Sequence, residues 1–89
     1  MLASSEATMT LPEGVALHAR PAALFVRTAM RFQSKIMVAA NGRDADAKSI
    51  LSVLGLGATA GTTLLVRADG DDAAAALDAL AEVLASVVE

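Results

Sequence analysis

The chain carries a single histidine, His18, with an arginine two positions on and a proline three positions on, in the run Gly14-Val15-Ala16-Leu17-His18-Ala19-Arg20-Pro21-Ala22. Imidazole is a nucleophile near neutral pH, and a guanidinium forks onto the oxygens of a phosphate. The apolar-periodic run from Ala22 to Phe32 reads as a helix. A proline in the first turn of a helix removes an N–H that would lack a partner anyway, so this helix should begin close to His18. The imidazole would then sit at the positive end of the helix dipole, among free backbone N–H groups that favour an anion. Together these features suit a site that carries a phosphoryl group. Taken alone, each residue has a plainer reading, His18 as a cap or surface histidine and Arg20 as a solvated side chain.

Composition narrows the possibilities further. The chain has 89 residues, enough for one small domain spanning 1–89. Apolar residues make up 55% of it, yet Phe25 and Phe32 are the only aromatics, so the core must be built from Leu, Val, Ile, Met and Ala. There is no cysteine, which excludes disulfides and thiolate metal sites, and one histidine excludes a multi-histidine cluster. No apolar run approaches the roughly 20 residues needed to span a bilayer. The start of the chain lacks the basic-then-apolar pattern of a signal peptide, so the expectation is a cytoplasmic protein with no membrane insertion.

The net charge of −3 conceals an asymmetry. Between Gly14 and Arg43 lie Arg20, Arg27, Arg31, Lys35 and Arg43 with no acidic residue; from Asp69 onward lie Asp69, Asp71, Asp72, Asp78, Glu82 and Glu89 with no basic one. The basic segment holds His18 and suits acidic or phosphorylated partners. A pI near 4.9 and the lack of aromatic platforms argue against nucleic-acid binding.

The elements that must position His18 are legible as patterns. Ala7, Met9 and Leu11 alternate with polar residues as in a half-buried strand, and Pro12, Glu13 and Gly14 make a loop. The first helix should bury Ala22, Phe25, Val26, Ala29, Met30 and Phe32, with Arg27 and Arg31 opposite. Ile36, Val38 and Ala40 alternate into a second strand, and Asn41-Gly42 predicts a type I′ hairpin into a short strand over about 43–45. Ser49 can cap a brief helix over about 50–54, stopped by Gly55 or Gly57. After Gly61 a fourth strand places Leu64, Val66 and Ala68 on one side. Asp71 and Asp72 open a last helix and complement its dipole; it buries Ala73, Ala76, Leu77, Leu80, Leu84 and Val87 or Val88, with Asp78, Glu82 and Glu89 in water. The order β-α-β-β-α-β-α predicts an α+β open-faced β-sandwich, a four-stranded, mainly antiparallel sheet with three helices on one face.

Motifs, order and length together resemble the histidine-containing phosphocarrier (HPr) family of the bacterial phosphoenolpyruvate-dependent sugar phosphotransferase system. The run from Gly14 to Ala22 is similar to the family's active-site motif, and Lys48-Ser49-Ile50-Leu51 to its second signature. Leu56-Gly57, Gly61-Thr62 and Asp69-Gly70 fit its later landmarks.

The resemblance implies a phosphoryl relay. His18 would take the group on Nδ1 from phosphorylated enzyme I, as a pros-phosphohistidine, and pass it to a sugar-specific enzyme IIA. Arg20 would hold the phosphoryl oxygens. No cofactor or metal is implied in the carrier, which would be an intermediate of the relay rather than a stand-alone catalyst. On the residues alone, Ile50, Leu51 and Leu54 share a short helix with at least one of them exposed. The resemblance makes them, with Ala19, Ala23 and Arg27, a docking surface for both partners. Ser49, a plain N-cap by its chemistry, corresponds to a serine phosphorylated in many relatives by an HPr kinase/phosphorylase. A monomer suits a shuttle. The alternatives left open are a nitrogen-system paralogue and a regulatory HPr-like binding module.

Overall fold

Four strands arise where apolar and polar residues alternate, and the computed structural model, which describes residues 4–12 and 18–86, brings them into one sheet. They are β1 (Ser4–Thr10), β2 (Lys35–Ala40), β3 (Arg43–Asp46) and β4 (Thr63–Asp69), in the spatial order β1-β4-β2-β3. All three pairings are antiparallel. The register sets Ala7 opposite Val66, Val66 opposite Val38, and Val38 opposite Ala45, so one row of small and branched side chains crosses the whole sheet. On the other face Glu6, Arg67, Met37 and Asp46 form the matching row. A one-residue slip would exchange the two rows, which is why the pattern specifies the register.

Between the strands run α1 (Ala19–Ala29), α2 (Ile50–Leu54) and α3 (Ala73–Ser86). Phe25, Ala22 and Ala29 of α1 are fully buried, as are Val53 of α2 and Leu80 of α3, together with Ile36, Val38, Leu64 and Val66 of the sheet. With few aromatics, the layers close by approach rather than by bulk. Ala73 and Ala76 of α3 and Ala22 and Ala29 of α1 are nearly or wholly buried, and small side chains at such positions let the layers sit close.

Local signals set the connections. Asn41 and Gly42 take φ of +54° and +74°, the positive values that a type I′ hairpin demands. After α2 the residue with left-handed φ is Gly57 (+64°), while Gly55 caps the helix in ordinary helical conformation. Gly70, between β4 and α3, has φ +150°, and a Cβ there would lie 2.5 Å from Ser34 Oγ and 2.8 Å from Ser34 Cα.

Two expectations need correction. Met30 does not belong to the buried stripe of α1: it is the C-cap residue and 64% exposed. Phe32 follows the helix rather than continuing it, and is half-buried against the core. Asp72 starts α3 as expected, its carbonyl accepting from Ala76 N at 2.9 Å, and its carboxylate also reaches out of the helix. It accepts from Gln33 N (2.8 Å), Ser34 N (3.0 Å) and the Ser34 hydroxyl, lashing the start of α3 to the loop after α1. Asp71 is exposed beside it. Glu13, Gly14, Val87, Val88 and Glu89, which the sequence places in a loop and at the end of α3, lie outside the described residues.

Those bonds to Ser34 and Gln33 hold the Asp72 carboxyl below its ordinary value of 3.8. A folded-state pKa below the unfolded one contributes stability above the unfolded value and loses it as pH falls through the folded value. Asp72→Asn is therefore expected to melt at a lower temperature than the parent at about pH 7, and the gap to narrow at an acidic pH below the lowered folded value, where the parent carboxylate is protonated. Thermal melts followed by circular dichroism at both pH values check this. An equal gap at both would show that the charge is not what matters.

Candidate functional site

The residue that precedes α1 is His18, with extended backbone (φ −82°, ψ −172°) and no side-chain capping bond. Its carbonyl accepts the first bond of the helix, from Ala22 N at 2.9 Å. His18, Ala19 and Arg20 are all exposed. Pro21 stands third in the helix and is buried, so it secures the first turn to the core while lacking the N–H that position would leave over. The helix itself offers no partner to the N–H groups of Ala19 and Arg20. No acidic residue lies in its first turn, so no carboxylate of the helix neutralises that end. An exposed imidazole, an exposed guanidinium and the positive end of a helix thus occur within three consecutive residues. Gly14 to Leu17, the first part of the motif, lie outside the described residues.

The second helix presents a different chemistry. Val53 points into the core, fully buried, and leaves Ile50, Leu51 and Leu54 at 37%, 80% and 36% exposure. Five residues cannot make a stable helix alone, so tertiary bonds must hold it. Ser49 caps its start, its hydroxyl accepting from Ser52 N at 3.4 Å. Lys48 donates from Nζ to the Phe32 carbonyl at 2.8 Å, tying that start to the loop after α1. At the far end Asn41 donates from Nδ2 to the Leu56 carbonyl (3.0 Å), and the Arg43 guanidinium donates to the Gly55 carbonyl (3.0 Å). The hairpin turn therefore fixes one end of α2 and the loop after α1 the other.

This arrangement brings α2 alongside α1. Ala23, Val26, Arg27 and Met30 of the α1 segment and Ile50 of α2 line one shallow apolar groove of about 260 Å³. Of the docking residues expected from the sequence, Ala23, Arg27 and Ile50 share this groove, with Leu51 and Leu54 on the same short helix and Ala19 at the start of α1. Ser49 is half-buried in its capping role.

Two residues escaped the sequence reading: Leu24, 38% exposed, and Met30. Met30 falls four after the buried Val26, so spacing alone sets it on the buried stripe; the helix ends at Ala29 and leaves it exposed. Among the described residues, no group of three His, Cys, Asp or Glu could hold a metal ion, and no helix is long and apolar enough to cross a membrane.

Residues 4–86 match the family described as the PTS HPr component phosphorylation site. The phosphocarrier protein HPr of Xylella fastidiosa strain Temecula1 is 41% identical over 78 residues, 88% of either chain. That of Mycoplasma capricolum is 35% identical over 74 residues, 83% of either chain. Among solved structures, HPr from Thermoanaerobacter tengcongensis superimposes with a TM-score of 0.87 at 40% identity, covering 92% of each chain. Crh, a Bacillus subtilis catabolite repression protein solved as a swapped dimer, does so with a TM-score of 0.74 at 39% identity, covering 83% of this chain and 85% of its own. Likeness over nearly the whole described length, in sequence and in fold alike, means that the chain belongs to the HPr phosphocarrier family of the phosphotransferase system.

Proposed function

We propose that the chain carries a phosphoryl group on Nδ1 of His18, received from phospho-enzyme I and delivered to a sugar-specific enzyme IIA. The observation that carries this reading is the exposed His18 immediately before α1, with Arg20 exposed in the same turn, in a chain of the HPr family. The step is a substitution at phosphorus: the Nδ1 lone pair forms the new bond as the donor's bond to phosphorus breaks. Arg20 and the N–H groups of the first turn take up charge on the transferring oxygens. An open site suits a carrier, because a closed pocket would hold the phosphoryl group too tightly to pass it on.

Partners dock on the surface formed by Ala19, Ala23, Arg27, Ile50, Leu51 and Leu54. A small apolar patch with a basic rim makes a weak interface that releases quickly, as a shuttle requires. Phosphorylation of Ser49 by a kinase would set negative charge at the edge of that patch, against an acidic partner. The relay runs in the cytoplasm, where phosphoenolpyruvate is available, and we place the chain there.

Incubation with phosphoenolpyruvate and enzyme I is expected to add one phosphate per chain, labile in acid and stable in base. A phosphate that survives acid would overturn the assignment, since phosphohydroxyl and phosphohistidine differ in this property.

A further inference from the structure

We infer that the side of the sheet turned away from the helices is a second docking surface. It takes a partner that brings an apolar side chain with Lys or Arg beside it, and it works while the helix side serves the relay. The docking surface goes beyond the carrier reading, and only its use alongside the relay rests on that reading. The outward positions of an antiparallel sheet with one covered face are ordinarily polar. Here those at the middle of the sheet are apolar. Leu65 of β4 lies opposite Ala39 of β2, with Met37 two residues away on the same face of β2. Leu65 is 42% exposed, and Met37 and Ala39 are half-buried. All three line one shallow, open-sided depression of about 430 Å³, room enough for a large side chain.

Charge selects what accompanies that side chain. On β1, β4 and β2 the charges answer one another. Glu6 stands opposite Arg67 and Lys35 opposite Asp69, and Arg67 is bridged to Asp69 at 3.5 Å, the one ion pair among the described residues. On the edge strand β3 they do not. Asp44 stands opposite Ala39 and Asp46 opposite Met37, both exposed and neither with a basic residue across from it. Asp46 takes a main-chain N–H, from Lys48 at 2.9 Å, rather than a cation. The basic side chains nearest in sequence are committed elsewhere, Arg43 to the Gly55 carbonyl and Lys48 to the Phe32 carbonyl. Two uncompensated carboxylates therefore border the apolar centre, and a cation on the partner is complementary to them. The segment 19–31 has the opposite character, with Arg20, Arg27 and Arg31 and no acidic residue. The two sides of the molecule thus attract partners of opposite charge, which do not compete.

The probe is a capped hexapeptide of two lysines, leucine, phenylalanine and two lysines, titrated into the isotope-labelled full chain and followed by amide chemical shifts. Shifts are expected at Met37, Ala39, Asp44 and Leu65, and none at Arg20, Arg27 or Ile50. A peptide with serines in place of leucine and phenylalanine should bind about tenfold more weakly. Leu65→Gln is expected to raise Kd about fivefold at any salt, and Asp44→Asn about threefold at low salt and less at high salt. Asp78→Asn, which removes the same charge from the exposed side of α3, should match the parent. Circular dichroism melts confirm that each variant is folded. The docking surface is overturned if no shift occurs, or if shifts centre on Asp71, Asp78 and Glu82. It is equally overturned if the same amides shift with protein concentration alone, which would make a second copy the occupant. Phosphoryl uptake from phospho-enzyme I should stay within about twofold at saturating peptide, and its loss would overturn simultaneous use. If the chain accepts no phosphate even without peptide, the carrier reading falls while the shifts alone judge the sheet face.

Discussion

His18→Ala is expected to bring phosphoryl uptake from phosphoenolpyruvate and enzyme I down to background, with the fold and melting temperature unchanged. The side chain is exposed and makes no capping bond, so its removal leaves no cavity and no orphaned donor. The chemistry is lost entirely, because the chain has no second histidine and no cysteine to accept the group. Arg20→Ala should behave differently. It removes charge stabilisation but not the nucleophile, so uptake should continue at a rate lower by about 10-fold to 100-fold, less than a fully desolvated oxyanion donor would cost. Radiolabel transferred from phosphoenolpyruvate, counted per chain for each variant, separates the two roles. Label retained by His18→Ala would place the acceptor elsewhere.

Gly70→Ala carries the largest expected effect on stability. The residue joins β4 to α3 with φ +150°, a value that L side chains rarely adopt, and a Cβ there meets Ser34 Oγ at 2.5 Å and Ser34 Cα at 2.8 Å. Ser34 is itself 1% exposed and bonded to Asp72 through both its N–H and its hydroxyl, so it has no direction in which to retreat. Backbone strain and overpacking together should cost about 3–5 kcal/mol. For a domain of this size that corresponds to a fall in melting temperature of roughly 15–30 °C. A calorimetric scan of the variant checks it. Ser34→Gly in the same background should recover part of the loss, because it removes one of the two close contacts while leaving the strained φ.

The contrast between these positions shows which parts of the molecule were legible in advance. Asn41-Gly42 announced its hairpin because everything a type I′ turn needs is contained in two residues. The inner faces of the strands were equally plain, since period-two alternation needs no knowledge of the partner strand. The geometry at Asp72 was not, because the groups that engage its carboxylate lie 38 and 39 residues away in sequence and a helix start explains an aspartate well enough by itself. Met30 was misplaced for a related reason: the apolar pattern runs on past Ala29, while the helix ends there. At the site, the closeness of His18 and Arg20 is a local matter of two residues. The meeting of Ala23 with Ile50 depends on strand order and on the bonds that hold α2, and only the family resemblance hinted at it.

The double tether of α2 has a consequence for speed. A surface helix of five residues would ordinarily melt and reform, and each partner would wait for the folded fraction. Lys48, Asn41 and Arg43 anchor it to the rest of the chain, which favours the folded shape before any partner arrives. Encounter and release would then be set by diffusion, charge and the few contacts made. A carrier of the kind proposed, which visits one protein and then another, would gain its throughput from this stillness.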